Sequence, residues 1–250
     1  MMAHQGLETY RTRSTVIEAV RSLIDDAEES VTLAVPKAAL ATFAPQLRAA
    51  IERDVLVLVL VHGETTASTP AYDDIATAVR TIGNGITPLL VTADVKRGLT
   101  GHDRVLTEPD GDYQATVFDS ENLAHDEFTM FLGVHWLMGT ERYVASVGSF
   151  PQTFSAFEFA VLTAALALRD KIPITASAAV VSTADGTETT ISGPVVNVRQ
   201  SLVYPASSSN PAERSITVET DDGPVTVGGN GATKEAYECR DITLDRDDRQ

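Results

Sequence analysis

Histidine is the residue type best suited to ligate a metal or to move a proton near neutral pH, and this chain has five. They are His4, His62, His102, His125 and His135. No two of them lie three or four residues apart, the spacing that places two imidazoles on one face of a helix. The common signatures of phosphate, acyl and zinc chemistry (G-x-x-x-x-G-K-[ST], G-x-S-x-G and H-E-x-x-H) do not occur. The sequence therefore predicts no catalytic residue, no metal site and no cofactor.

A glycine-rich segment, GGNGATK from Gly228 to Lys234, could in principle cradle a phosphate. Such a cradle needs the amino terminus of a helix behind it, because the free amides of the helix supply the favourable field. The following residues, EAYECRDITL, are at least as typical of a strand as of a helix. We therefore favour a turn whose glycines adopt positive φ.

The first part of the chain alternates helical and strand patterns, which predicts an α/β fold. The aliphatic run Val55 to Val61 is typical of a strand buried on both faces of a mainly parallel sheet. We expect residues 92 to 112 to form a loop, because they contain several glycines and a proline. The first predicted helix begins at Thr15, with a Thr15–Glu18 capping box, and two further helices cover Leu40 to Ile51 and Tyr72 to Ile82. The predicted strands cover Val31 to Val35, Val55 to Val61, Ile86 to Val91 and Ala115 to Phe118.

The pattern changes after Pro173, where β-branched residues alternate with polar ones. Asp185-Gly186 and Asp222-Gly223 are hairpin-turn signals within this part. A helix that runs through Leu168, capped by Ser155 and Glu158, precedes it. We predict two domains: an α/β domain over residues 1–172 and a small antiparallel β domain over residues 173–250.

The charge balance is strongly acidic, with 35 acidic and 19 basic residues and a net charge of -16. A surface of this sign repels phosphate backbones, which argues against direct nucleic-acid binding. The acids are spread along the chain, which favours adaptation to a salt-rich cytoplasm over a cationic partner. No apolar run approaches the roughly 20 residues of a membrane span, no signal peptide is evident, and one cysteine fits a reducing compartment.

One spacing bears on catalysis. Phospholipase D-type hydrolases share an α/β rhythm of this kind and place His, Lys and Asp at positions i, i+2 and i+7. The matching positions here are Asp112, Gln114 and Asp119, so the nucleophilic histidine and the lysine are both missing. A second set, His102, Arg104 and Asp110, is one residue out of register and lacks the lysine. The chain resembles a phospholipase D-like scaffold without its chemistry.

Three segments carry a more specific resemblance. FLGVHWLMGTERYVA (Phe131 to Ala145), GPVVNVRQSLVYP (Gly193 to Pro205) and ETDDGPVTVGGNGATKEAYECRDITL (Glu219 to Leu244) resemble the effector domain of TrmB-type archaeal transcription regulators, in particular haloarchaeal members. The resemblance extends from about Leu7 to Leu244. It implies a phospholipase D-like α/β half, catalytically degenerate, followed by a β half. It also implies a sugar held between the two halves, with most contacts from the β half.

Sugar recognition needs polar groups that bracket hydroxyls and an apolar or aromatic face against the ring. Most of the candidate ligand-binding residues also have a purely structural explanation. Arg199 could pair with an acidic neighbour, Trp136 could be core, and Gly193 could serve only a turn. Glu235 and Glu238, three apart on a strand, would point to opposite faces, so at most one would face a cleft. The candidate ligand-binding residues are Gly193, Asn197, Arg199, Glu235, Glu238, Trp136 and Tyr204.

These inferences favour a non-enzymatic sugar sensor that acts as a homodimer. Family members usually carry a winged helix ahead of this domain, and there is no room for one before Thr15. We therefore expect DNA contact only through a winged-helix partner or a missing N-terminal domain. Two alternatives stay open: a sugar-independent dimerisation domain, and a phosphodiesterase-like hydrolase that uses His102 or His125.

Overall fold

Two β-sheets organise the chain, and each belongs to one of two compact units, Met1–Ala145 and Ser146–Gln250. The computed structural model describes residues 6–63, 72–83, 88–108, 112–208, 210 and 213–247. Within these residues no helix has the length and apolar character that crossing a bilayer requires.

In the part of the first unit that the structure describes there are eight strands, five α-helices and a π turn. The strands are β1 (Leu7–Tyr10), β2 (Ser30–Pro36), β3 (Leu56–His62), β4 (Ala78–Ile82), β5 (Leu89–Ala93), β6 (Arg97–Gly101), β7 (Ala115–Asp119) and β8 (Thr140–Val144). The helices are α1 (Arg13–Asp25), α2 (Lys37–Glu52), α3 (Arg104–Thr107), α4 (Glu121–Met130) and α5 (Trp136–Met138), with a π turn (Phe131–His135) that joins α4 to α5.

The strands form one mixed sheet in the order β1-β7-β6-β5-β2-β3-β4-β8. Strands β2, β3 and β4 are parallel, and the other neighbours are antiparallel. The central strands are buried along their length because helices cover both faces. Alternate residues such as Val57 and Val59 share a core with α1 and α2, whereas Leu60 faces the side on which Trp136 of α5 lies.

Two predictions for this unit were wrong. The predicted helix Tyr72 to Ile82 contains β4, because Ala78–Ile82 pairs in parallel with β3 and is buried on both sides. The predicted loop 92 to 112 contains β6 and α3. Gly98, one of the glycines that favour a loop here, lies within β6, where an added Cβ would stand 2.4 Å from the Val91 carbonyl oxygen.

Both predicted helix caps also differ from the structure. Helix α1 is capped by Thr12, whose side chain accepts a hydrogen bond from the Thr15 amide, so the helix starts earlier than predicted. Helix α6 (Phe157–Arg169) starts after Ala156, so its N-cap residue is Ala156 rather than the predicted Ser155.

The described residues of the second unit form α6 and seven strands. The strands are β9 (Gln152–Phe154), β10 (Ile174–Ser182), β11 (Glu188–Arg199), β12 (Ser215–Thr220), β13 (Gly223–Gly228), β14 (Tyr237–Cys239) and β15 (Ile242–Arg246). Their order in the sheet is β11-β12-β13-β14-β10-β15-β9. Since β11 also pairs with β10, the strands β10 to β14 close into a small barrel. Helix α6 packs against β9, β11, β12 and β15.

The predicted fold class, an α/β unit followed by a small β unit, is confirmed. The two units meet at residues 145 and 146, whereas the sequence placed the boundary at 172 and 173. The difference has a structural cause: α6 and β9 precede Pro173 in the chain but pack on the β strands that follow it. One pair in this unit, β13 with β14, is parallel rather than antiparallel.

Candidate ligand site in the second unit

A fixed ion pair lies at the end of strand β11. Arg199 Nη2 donates to Glu213 Oε2 at 3.0 Å, and Arg199 Nε contacts the other carboxylate oxygen, so the pairing is bidentate. The Ser208 hydroxyl donates to Glu213 Oε2. These bonds, with Ser208 the larger contributor, lower the pKa of Glu213 below its ordinary value, and the positive charge of Lys234 acts in the same direction. The carboxylate is therefore ionised and held in one orientation at neutral pH.

The loop that follows Arg199 is braced from inside by Gln200, which is 2% exposed. Its Nε2 donates to the Val203 and Pro205 carbonyl oxygens at 3.0 and 3.2 Å, and its Oε1 accepts from the Val203 amide at 2.9 Å. The loop presents Tyr204, which is 54% exposed, at the surface. An aromatic side chain on a braced loop is suited to ligand contact because little conformational entropy is lost on binding.

The turn before β14 adds polar groups. Lys234 is exposed and close enough to Glu213 to affect its pKa. The backbone oxygen of Glu235 accepts a hydrogen bond from Thr183 Oγ1 at 2.6 Å, and its carboxylate lies beside Gly228, where an added Cβ would stand 3.0 Å from Oε2. The glycine-rich segment thus forms a turn that leads to a strand rather than a helix, as favoured from the sequence. Of its three glycines, Gly231 adopts the predicted positive φ, whereas Gly228 and Gly229 do not.

The structure separates the predicted ligand residues. Asn197 is exposed on β11 opposite Thr217. Glu235 precedes β14 and Glu238 lies within it, opposite Val181, so the two do not share a strand as predicted. Gly193 packs closely against the backbone of β12, because an added Cβ would stand 1.9 Å from the Glu219 carbonyl oxygen.

Trp136 belongs to the first unit and is fully buried. Its ring lies under the Arg80 guanidinium, whose Cζ is 5.0 Å from the ring centroid, and its carbonyl oxygen accepts from Arg80 Nη1 at 2.9 Å. Protein encloses both faces of this side chain, so Trp136 is a core residue.

Glu213, Ser208 and Gln200 were not identified from the sequence. Glu213 lies 14 residues from its partner Arg199, and no motif connects the two. The sequence indicates that Arg199 either binds a ligand or pairs with an acidic neighbour. The structure identifies that acid as Glu213, because the chain comes back to Arg199 just before β12.

Three of the dispersed histidines converge at one edge of the first sheet. His62 ends β3 and is 4% exposed, with Nδ1 3.6 Å from Asp103 Oδ2. His102 Nδ1 lies 2.9 Å from Asp103 Oδ1. Burial lowers the pKa of His62, Asp103 opposes that effect, and His135 adds to it. Among the described residues, no group of three or more His, Cys, Asp or Glu side chains has a geometry that could hold a metal ion.

A groove of about 790 Å³ lies beside the start of α1 and is lined by three arginines, among other residues. Their guanidinium groups already contact protein. Arg11 pairs with Asp112 at 3.5 Å, Arg13 donates to the Leu106 carbonyl oxygen, and Arg21 donates to that of Thr42. The groove therefore offers less free binding capacity than its composition indicates.

Two family models together match nearly the whole chain. Residues 6–143 match the EBD N-terminal subdomain of the transcriptional regulator TrmB, and residues 149–247 match the EBD C-terminal subdomain of TrmB and TrmBL1. This chain belongs to the TrmB family. The gap between the two TrmB matches includes the junction of the two compact units at residues 145 and 146.

Solved structures show weaker similarity to this TrmB-family chain. Nuc, a phospholipase D family member from Salmonella typhimurium, is 19% identical over 56% of this chain and 99% of its own, with a TM-score of 0.45. TrmBL2, an archaeal chromatin protein, is 9% identical over 57% of this chain and 56% of its own, with a TM-score of 0.44. NucT from Helicobacter pylori is 12% identical over 50% of this chain and 92% of its own, with a TM-score of 0.41.

These TM-scores lie below 0.5, and nothing about activity follows from them. A search of curated protein sequences gives no match.

Proposed function

We propose that this chain is a non-enzymatic sensor that binds a sugar and passes the signal to transcription. The match of both TrmB subdomain models to nearly the whole chain is the main support. The absence of the histidine and lysine of a phospholipase D motif, where Asp112 and Gln114 stand, supports a role without hydrolysis.

The Arg199–Glu213 pair at the end of β11 is the proposed anchor for the sugar. A guanidinium supplies N–H donors and an ionised carboxylate supplies acceptors, which is the combination that adjacent sugar hydroxyls require. Glu213 is oriented by Ser208 before any ligand arrives, which lowers the entropic cost of binding. Tyr204 supplies an exposed ring face on a braced loop, and Asn197 supplies an exposed amide on the same strand as Arg199.

The test is a thermal-shift screen in high salt against glucose, maltose, trehalose, sucrose, glycerol and sugar phosphates. A specific ligand at about one hundred times its dissociation constant should add about 2.7 kcal/mol to the free energy of unfolding. Arg199→Ala and Glu213→Gln should each remove the shift. Arg169→Ala is the matched control, because Arg169 forms a comparable ion pair with Asp170 in the same unit.

A shift with one sugar that survives in Arg169→Ala and is lost in the two site variants would support the proposal. A shift that persists in both site variants would place the ligand elsewhere, and no shift with any of these compounds would contradict sugar sensing.

Several finer points belong to the same proposal. The family resemblance is also the basis for proposing that the two halves close around the sugar. Contact with DNA is proposed to come from a winged-helix domain supplied elsewhere, because the net charge of -16 opposes binding to phosphate. A cytoplasmic location in a salt-rich cell is proposed from the dispersed acidic residues.

The second candidate function is a sugar-independent dimerisation or interaction domain. Four exposed apolar side chains on the run from α4 through the π turn to α5 favour this function: Leu123, Met130, Val134 and Met138. A concentration-dependent oligomer, with no response to any sugar, would support this alternative.

A further inference from the structure

Arg214, just before β12, is a half-buried arginine whose buried Nε atom has no hydrogen-bond partner among the described residues. Arg21 also has a buried Nε of this kind, but it donates through Nη2 to the Thr42 carbonyl oxygen at 3.1 Å. The described part of the chain supplies no such bond to Arg214. A guanidinium withdrawn from water without an acceptor is unfavourable, so an acceptor from outside the chain would stabilise it.

The charge of Arg214 is compensated only in part by the protein. Burial lowers the pKa of its guanidinium, and the negative charge of Glu158 opposes that effect without reversing it. Glu158 lies in the first turn of α6 and acts on Arg214 through its charge, not through a hydrogen bond. The N–H groups of this guanidinium therefore remain available to a second anion.

Three segments meet at Arg214. Ile216 of β12 lies opposite Val227 of β13. The same antiparallel register, continued by two residues, places Arg214 beside Gly229 in the glycine-rich turn from Gly228 to Lys234. This turn is seated on the start of α6, because a Cβ added to Gly229 would stand 2.8 Å from the Cβ of Phe157. Arg214, the turn and the start of α6 are called the Arg214 site below.

The glycine-rich turn adds groups that suit an oxyanion. Lys234 supplies an exposed positive charge, and Thr233 beside it is also exposed. No helix follows the turn, but the fold brings the positive end of α6 to it from earlier in the chain. Glu158 and Glu235 oppose an anion here. Affinity is therefore set by direct hydrogen bonds to Arg214 and not by an excess of positive charge.

We propose that the Arg214 site binds a phosphate group, which the Arg214 guanidinium holds through paired N–H donors and which Lys234 helps to neutralise. The planar fork of an arginine matches two phosphate oxygens, which makes this pairing stronger than a single neutral hydrogen bond. The net charge of -16 acts over a distance, and high salt screens charges beyond about 3 Å, so a single phosphate responds to the groups that it touches. The Arg199–Glu213 anchor takes no part in this site.

Calorimetric titration of the full chain with inorganic phosphate, at constant ionic strength in concentrated KCl, tests the site. Arg214→Met should weaken binding roughly ten- to a hundredfold, because charge-assisted hydrogen bonds are lost. Arg214→Lys keeps the charge without the fork, so its affinity should lie between the two. Arg240→Met is the matched control, because Arg240 is an exposed arginine of the same unit, and its affinity should equal that of the parent.

Thermal unfolding gives a second measurement. Without phosphate, Arg214→Met should melt a few degrees above the parent, because the substitution removes a buried cation that lacks an acceptor. Saturating phosphate should stabilise the parent and Arg240→Met but not Arg214→Met. A lower melting temperature of Arg214→Met without phosphate would mean that the protein itself satisfies the guanidinium, and would overturn the proposal. Absence of phosphate binding, or binding that Arg214→Met leaves unchanged, would also overturn it.

Glucose 6-phosphate and glucose distinguish the two sources of the phosphate. Tighter binding of glucose 6-phosphate than of inorganic phosphate, lost in Arg214→Met, would support a phosphate carried by a sugar. Equal affinities that are lost in the same variant would support free phosphate as the ligand. Binding of neutral glucose that is lost in Arg199→Ala and kept in Arg214→Met reports on the sugar anchor alone, so the two proposals fail separately.

Discussion

Replacing Gly193 by alanine should destabilise the second unit strongly. Gly193 lies in β11 between two neighbouring strands, opposite Ala176 of β10 and beside Glu219 of β12. An added Cβ would stand 1.9 Å from the Glu219 carbonyl oxygen, whereas real Cβ atoms essentially never approach within 3.0 Å. The strands must therefore separate by more than 1 Å, and β10 on the other side limits how far β11 can retreat.

The size of the effect follows from this geometry. Overpacking of a closed interior costs about 1–3 kcal/mol, and each backbone hydrogen bond weakened between β11 and β12 costs about 1 kcal/mol more. We expect the free energy of unfolding to fall by about 3 kcal/mol. For a unit of this size, that loss lowers the melting temperature by roughly 10–20 °C.

Thermal unfolding followed by circular dichroism, with urea unfolding as a second measurement, tests this prediction. Gly83→Ala is the control, because an added Cβ there meets no atom within 4 Å. Its melting temperature should stay within about 2 °C of the parent, as for most surface substitutions. If Gly193→Ala melts as the parent does, the Glu219 carbonyl moves aside freely and the reasoning from close strand approach is wrong.

Two further predictions concern pH and salt. Because the pKa of His62 is lowered in the folded state, mainly by burial, the unfolded chain takes up a proton more readily, so stability should fall as pH drops below about 6.5. Urea unfolding at about pH 7.5 and about pH 5.5 should show a smaller loss in His62→Gln; an equal loss would assign the pH dependence to other groups. The net charge of -16 predicts a melting temperature that rises with added KCl as self-repulsion is screened, and a flat salt response would contradict it.

Elements with a strong local pattern were predictable from the sequence. The strands at Val31 and Val55, helix α2 and the hairpin glycines Gly186 and Gly223 were all assigned, because unbroken aliphatic runs and helical spacing reflect burial directly. The family resemblance also came from residue order alone. Together the two family models cover the segments that carry this resemblance, except for Val144 and Ala145.

The remaining features depend on contacts between residues that are distant in the chain. Ala78–Ile82 has a local pattern that suits either helix or strand, and pairing with β3 decides the matter. Gly98 is typical of a loop when the sequence is considered alone. In the fold, Val91 and Phe118 pack against it and leave no space for a Cβ.

The candidate site shows the same division. The sequence by itself identified Arg199 as a candidate ligand-binding residue and showed Asp112 and Gln114 at the positions of the phospholipase D histidine and lysine. Only the tertiary structure brought Glu213 and Ser208 to Arg199 and enclosed Trp136 beneath Arg80. It also left Met130 and Val134 exposed. Local sequence specifies which face of a segment is apolar, but which partner covers that face is set by how the strands and helices pack together.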